Sequence, residues 1–145
     1  MKYVIITGVS EGLGYEIARV FLEKGFQVVG LSRTKPDLDI IHIPTDFTKK
    51  ESIEKSIEVI KEKYSQFSCV VCCAAVGYIE SLDKDNYEHT DEMFQVNIIG
   101  QNHLLSGIAD EMKQNISDLV FIGATIGYKG NTFMPMYSVT KWGVR

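Results

Sequence analysis

The 145 residues predict an α/β fold, a doubly wound parallel sheet with strand order 3-2-1-4-5. Two observations carry that expectation. Short apolar, β-branched runs alternate with segments of helical periodicity, the pattern of parallel strands joined by crossover helices. The first run also leads straight into a glycine-rich turn and a helix, so the chain opens with a βαβ unit. Right-handed crossovers then put the switch point of the sheet between strands 1 and 4, where a ligand is expected.

Tyr3–Thr7 (Y-V-I-I-T) reads as a buried parallel strand, and Thr7–Gly14 (T-G-V-S-E-G-L-G) as the turn. Tyr15–Lys24 carries Ile17, Ala18, Val20, Phe21 and Leu22 on a helix that Gly25 closes. Gln27–Leu31 is the second strand, and Ile40–Ile43, ended by Pro44, the third. Thr48 and Glu51 match a capping box ahead of a helix with Ile53, Ile57, Ile60 and Tyr64 at helical spacing. Cys69–Ala75 is the fourth strand, and the polar stretch Tyr78–His89 holds one short helical turn. Thr90 or Asp91 is expected to cap one long helix to about Gln114, with Met93, Val96, Ile99, Leu104, Leu105 and Ile108 on its apolar face. Leu119–Ile122 is the fifth strand, Gly123–Pro135 a loop, and a helix begins at Met136.

Composition narrows the classes. A hydrophobic content of 45% suits one globular domain over residues 1–145 with a real core. A net charge of −4 without a basic run argues against nucleic acid. No apolar segment is long enough for a membrane helix, and M-K-Y-V-I-I-T is too short for a signal peptide, so a cytoplasmic location is expected. Cys69 and Cys72 form a C-x-x-C, but odd spacing on a strand sends them to opposite faces. Together with Cys73 they read as small buried hydrophobes. His42, His89 and His103 share no spacing that suggests a metal site.

The chemistry lies in the turn and near the last residues. Glycines let a backbone approach a pyrophosphate, and a helix N-terminus offers amides and a favourable dipole. An unliganded glycine turn is the plainer alternative. After the second strand come Ser32 and Arg33, where NAD-selective folds carry an acidic residue. A guanidinium there binds a 2′-phosphate, so NADP(H) is expected over NAD(H), unless Arg33 is an ordinary solvated charge. Tyr137 and Lys141, in Y-S-V-T-K, share a helix face. The ammonium is expected to lower the phenol's pKa towards neutrality, fitting it to exchange a proton with a carbonyl or alcohol oxygen. Alone, such a pair arises by chance on many helices.

Taken in order, T-G-x-x-x-G-x-G, Asp46, Asn97 in F-Q-V-N-I-I-G, Tyr137 and Lys141 resemble the short-chain dehydrogenase/reductase family over the whole chain, with its Rossmann-like sheet. The resemblance implies an oxidoreductase that moves hydride between NADP(H) and a small carbonyl or alcohol substrate. It implies cofactor contacts from Gly8, Ser10, Gly12, Leu13, Gly14, Arg33, Asp46, Ala74 and Lys141, with Asp46 at the adenine. Tyr137 becomes the acid/base, and Asn97 holds a water in a relay to Lys141. Dimers or tetramers are implied through the long helix around Asn97 and the helix beginning near Tyr137.

The sequence departs from the family in three places. The serine position, thirteen residues before Tyr137, holds Ala124; losing such a donor costs about 10²–10³ in rate. Thr125 is a candidate stand-in. The family's N-N-A-G reads Cys72-Cys73-Ala74-Ala75, which removes amides that brace the central sheet. Complete members also continue beyond the catalytic helix with further strands, a helix and a substrate loop. The expectation is therefore a truncated member, missing the family's C-terminal strands and helices. For these 145 residues a silent nucleotide-binding fragment or pseudoenzyme is slightly favoured over an active reductase, and a partner-binding protein is a third reading.

Overall fold

The computed structural model describes residues 3–84 and 86–145. Five parallel strands form one sheet in the order β3-β2-β1-β4-β5, as the sequence predicts. They are β1 (Tyr3–Thr7), β2 (Gln27–Ser32), β3 (Ile41–Pro44), β4 (Phe67–Cys72) and β5 (Asp118–Phe121). The helices are α1 (Gly12–Glu23), α2 (Lys50–Lys63), α3 (Tyr87–Phe94), α4 (Gly100–Gly107), α5 (Ala109–Asn115) and α6 (Pro135–Gly143). Short 3₁₀ turns lie at Leu82–Lys84 and Thr125–Gly127, and a π-turn spans Gln95–Ile99.

Alternation along the strands builds two cores. Ile5, Val29, Leu31, Val70 and Cys72 face Ile53 and Ile60 of α2, with Leu104 of α4 and Ile108. Val4, Ile6, Val28 and Val71 face Ala18 of α1. Each fully buried aliphatic side chain contributes about 1.5–3 kcal/mol. Cys72 falls in the first core and Cys69 packs on the second, the opposite faces that strand geometry requires.

Most element ends shift by a residue from expectation, and four larger differences have a local reason. Helix α1 starts at Gly12 rather than Tyr15, so the last glycines of the turn form its first turn. The Thr48–Glu51 capping box does not form: the Thr48 hydroxyl donates to Asp46 Oδ1 (2.7 Å), and α2 follows Lys49 without a side-chain cap. Strand β4 runs Phe67–Cys72 instead of Cys69–Ala75, because the amides of Cys73 and Ala74 leave the ladder and bond the Thr7 hydroxyl (3.0 Å each). The expected long helix starts at Tyr87, not after Thr90 or Asp91, since Asn86 Oδ1 accepts from the amides of Glu88 and His89. It is also divided, by the π-turn and by a break at Ile108.

Candidate active site

A cleft of about 300 Å³ opens at the carboxyl ends of β1–β4, lined from Gly8, Ser10, Leu13 and Gly14 through Ser32, Arg33 and Asp46 to Ala74 and Val76. This is the switch point, because β1 pairs with β2 on one side and β4 on the other. Gly8 has φ +74°, and a Cβ there would come within 2.7 Å of Ala74 Cα. A Cβ on Gly14 would lie 2.2 Å from the Gly8 carbonyl oxygen. Both positions therefore exclude every side chain. Helix α1 begins behind Glu11 with no side chain capping it, so its first-turn amides lack that partner. A cradle closed to Cβ atoms, beside uncapped helix amides, fits a bound pyrophosphate.

The sequence-predicted contacts divide into two groups. Gly8, Ser10, Leu13, Gly14, Arg33, Asp46 and Ala74 line the cleft, and Gly12 opens α1 with φ +62°. Arg33 is largely exposed, and its guanidinium lies 3.9 Å from the Glu92 carboxylate. Asp46 accepts from the Thr48 amide (3.0 Å) as well as its hydroxyl. Burial raises the Asp46 pKa, but Thr48 and Lys49 outweigh that and hold the carboxyl below its ordinary value.

Beyond the cleft stand Tyr137 and Lys141 on α6. Tyr137 packs against Gly77, where a Cβ would lie 3.0 Å from its ring. Gly77 directly follows Val76 of the cleft lining, so the Tyr137 ring packs on the segment that continues from the cleft wall. Among the described residues its hydroxyl has no hydrogen-bond partner. Lys141 is buried, lies 5.7 Å from the Tyr137 ring centroid, and donates to the Ile122 carbonyl (3.0 Å). The expected tuning of the phenol by the ammonium is therefore not seen. Burial pushes the Tyr137 phenol up, and burial pushes the Lys141 ammonium down against the raising effect of Cys73. Ala124 precedes the 3₁₀ turn in extended backbone, and Thr125 is exposed, with no side-chain hydrogen bond among the described residues. Gly127 of that turn sits against the Lys141 backbone, so the turn and α6 form one wall.

The side chain of Asn97 is committed to structure. Its Oδ1 accepts from the Val76 amide (2.8 Å), while Nδ2 donates to the Val76 carbonyl (2.9 Å) and Thr140 Oγ1 (3.0 Å). Both amide hydrogens are used, so a water held by this side chain would donate to the second lone pair of Oδ1. The bonds tie the π-turn to α6 between Tyr137 and Lys141. Turns of this kind recur at functional sites.

Sequence reasoning missed three positioning groups. Thr7 Oγ1 accepts from two amides of the segment after β4 and donates to Gln101 Oε1 (3.2 Å); Gln101 Nε2 donates to the Ala74 carbonyl (3.1 Å). Thr7 and Gln101 thereby brace the strand end at which the side chains of Cys72 and Cys73 carry no amide. Thr140 is the third. Gln101 follows Asn97 by four residues, and that shared helix face was the available signal. Burial pushes the Cys72 thiol up to about 12 and the Cys73 thiol up to about 11, the latter partly offset by Lys141.

The family model described as short chain dehydrogenase matches residues 2–145. Similar proteins include an uncharacterised oxidoreductase of Schizosaccharomyces pombe, 26% identical, with 97% of this chain aligned to 51% of that protein. An uncharacterised oxidoreductase of Listeria monocytogenes is 28% identical, over 99% of this chain and 63% of its own length. The aldohexose dehydrogenase of Thermoplasma acidophilum superposes with TM-score 0.92 at 25% identity, covering 99% of this chain and 57% of that one. An alcohol dehydrogenase of the archaeon Thermococcus sibiricus, complexed with 5-hydroxy-NADP, superposes with TM-score 0.91 at 24% identity, over 99% and 67%. The chain thus spans about half to two thirds of these relatives. With its switch-point cleft, its glycine cradle and a family match from residue 2 to residue 145, this chain belongs to the short-chain dehydrogenase family of oxidoreductases.

Proposed function

We propose that these 145 residues form one NADP(H)-binding domain of a carbonyl reductase, in which Tyr137 exchanges the proton and a small carbonyl or alcohol is the substrate. The observation that carries the reading is the continuity of the site. A glycine cradle that admits no Cβ opens into a cleft lined as far as Val76, and Gly77, the next residue, packs against the ring of Tyr137, whose hydroxyl has no hydrogen-bond partner among the described residues. When bound, a nicotinamide would supply hydride to the substrate carbon or accept it. Gly8, Gly12 and Gly14 admit the pyrophosphate, with Ser10, Leu13 and Ala74 around it. Arg33 takes the 2′-phosphate, and Asp46 stands at the adenine end. Tyr137 holds its proton at the phenolic oxygen. Burial raises its pKa, so the phenol is protonated at neutral pH but is a weaker acid than one tuned towards neutrality, and proton donation calls for the cofactor-bound Lys141 to draw that pKa down. Lys141 leaves the Ile122 carbonyl for a ribose hydroxyl, and a water at the π-turn of Asn97 completes the relay.

Specific observations favour a second reading, a nucleotide-binding chain that is catalytically silent. Ala124 offers no donor to the substrate oxygen, and the Lys141 ammonium is tied to a carbonyl rather than set against the phenol. Following nicotinamide absorbance with aldehydes, ketones and diketones separates the two. Turnover abolished by Tyr137→Phe supports the reductase. Nucleotide binding without turnover supports the silent chain. Absence of binding overturns both and leaves the partner-binding reading. Self-association as a dimer or tetramer and a cytoplasmic location belong to the same proposal, and the half-exposed Ile99, Val139 and Trp142 support the association. Sedimentation of the purified chain tests it, and a strict monomer would count against it.

A further inference from the structure

We infer that Glu92 is a specificity-determining residue: an internal carboxylate that holds Arg33 when no nucleotide is bound and must release it to an adenosine 2′-phosphate. The inference rests on the reading of Arg33 above. Glu92 stands one helical turn before Val96, a cleft-lining residue carried by the segment between α3 and α4, whereas Arg33 follows β2. The ion pair between Arg33 Nη1 and Glu92 Oε1 (3.9 Å) therefore joins the cleft-lining Arg33 to the helix that leads into Val96.

Glu92 is not a freely moving surface acid. Its side chain is 26% exposed, against 67% for Arg33. Its second oxygen, Oε2, accepts from the Tyr78 hydroxyl. The Tyr78 ring stacks on His89, with centroids 3.8 Å apart and planes 2° from parallel, and His89 Nδ1 pairs with Glu80. A carboxylate anchored through Oε2 presents Oε1 to the guanidinium. The hydrogen bond to Glu92 also pushes the Tyr78 phenol up, so it remains a donor. Arg33 has the flexible stem needed to turn from Glu92 to a phosphate, and a dianionic phosphate is the stronger bidentate partner.

Two consequences follow. Before binding, Glu92 competes for Arg33. After binding, its charge opposes the nearby phosphate. Both act against NADPH and neither acts on the 2′-hydroxyl of NADH. The pair is solvent-facing, so the effect is modest: removing the charge should tighten NADPH binding about two- to fivefold.

The test is calorimetric titration of the whole chain with NADPH and with NADH. Glu92→Gln keeps the shape and an acceptor for Tyr78. The expected result is tighter NADPH binding, unchanged NADH binding, and a smaller gain from Glu92→Gln when Arg33→Ala is already present, because only the direct repulsion of the phosphate then remains. Weakened NADPH binding in Arg33→Ala together with unchanged binding in Glu92→Gln overturns the role of Glu92 and leaves the reading of Arg33 standing. NADPH binding unaffected by Arg33→Ala overturns that reading and the inference together. Equal tightening of both nucleotides by Glu92→Gln assigns the effect to general electrostatics and also overturns it. Tyr78→Phe is the second variant: freeing Glu92 Oε2 should change the NADPH to NADH affinity ratio, and a ratio equal to wild type contradicts the positioning of Glu92.

Discussion

Replacing Thr7 by valine tests how this chain holds its switch point. The side chains have nearly the same shape, and Thr7 is fully buried, so the change removes a hydroxyl and little else. That hydroxyl accepts from the amides of Cys73 and Ala74 at 3.0 Å each and donates to Gln101 at 3.2 Å. A neutral hydrogen bond contributes about 1 kcal/mol net, and buried groups left unpaired cost more. Three bonds, two of them reaching amides near a cleft that admits water, give an expected loss of about 2–3 kcal/mol. That is a large share of a typical folding stability of about 5–15 kcal/mol. Urea denaturation should show a lower midpoint with an unchanged slope. Thr7→Ser keeps the hydroxyl and should lose much less. A Thr7→Val loss under about 0.5 kcal/mol, or an equal loss in Thr7→Ser, would refute the bracing argument. Because the same amides shape the wall facing Gly8, nucleotide binding should weaken in parallel.

Gly8→Ala forces a side chain onto φ +74° and to within 2.7 Å of Ala74, and is expected to abolish nucleotide binding; calorimetry showing wild-type affinity contradicts the cradle. Ala124→Ser restores the missing donor and should raise kcat by up to about 10²-fold; an unchanged kcat means that the hydroxyl is not limiting. For pH dependence, Cys72 is an acid whose pKa rises from 9.0 to about 12 on folding. Its contribution is complete below pH 9.0 and is lost as pH rises towards about 12. Stability measured across that window should therefore fall less steeply in Cys72→Val, and equal slopes would contradict the assignment.

Strand order and the glycine turn were legible because both follow from periodicity and backbone sterics. Tyr3–Thr7 and the alternating faces of Cys69 and Cys72 needed only the two-residue period of a strand. Helix starts were harder, since they depend on which polar side chain wins a local competition. Thr48 resembles a cap but serves Asp46, while Asn86 caps the helix upstream of Thr90 and Asp91 by accepting from Glu88 and His89. The end of β4 was misjudged because its partner was a threonine hydroxyl rather than a neighbouring strand. The proposed pair of Tyr137 and Lys141 was legible as spacing, but its electrostatics were not. Helical proximity brings Lys141 near Tyr137, while burial and the Ile122 carbonyl decide where the ammonium points.

The most direct measurement is a crystal structure of the chain soaked with NADP. The pyrophosphate should lie on the Gly8–Gly14 turn, with the 2′-phosphate at Arg33 and the nicotinamide facing the Tyr137 hydroxyl. A nucleotide lying elsewhere, or a nicotinamide on the far side of the sheet from that hydroxyl, would contradict the account.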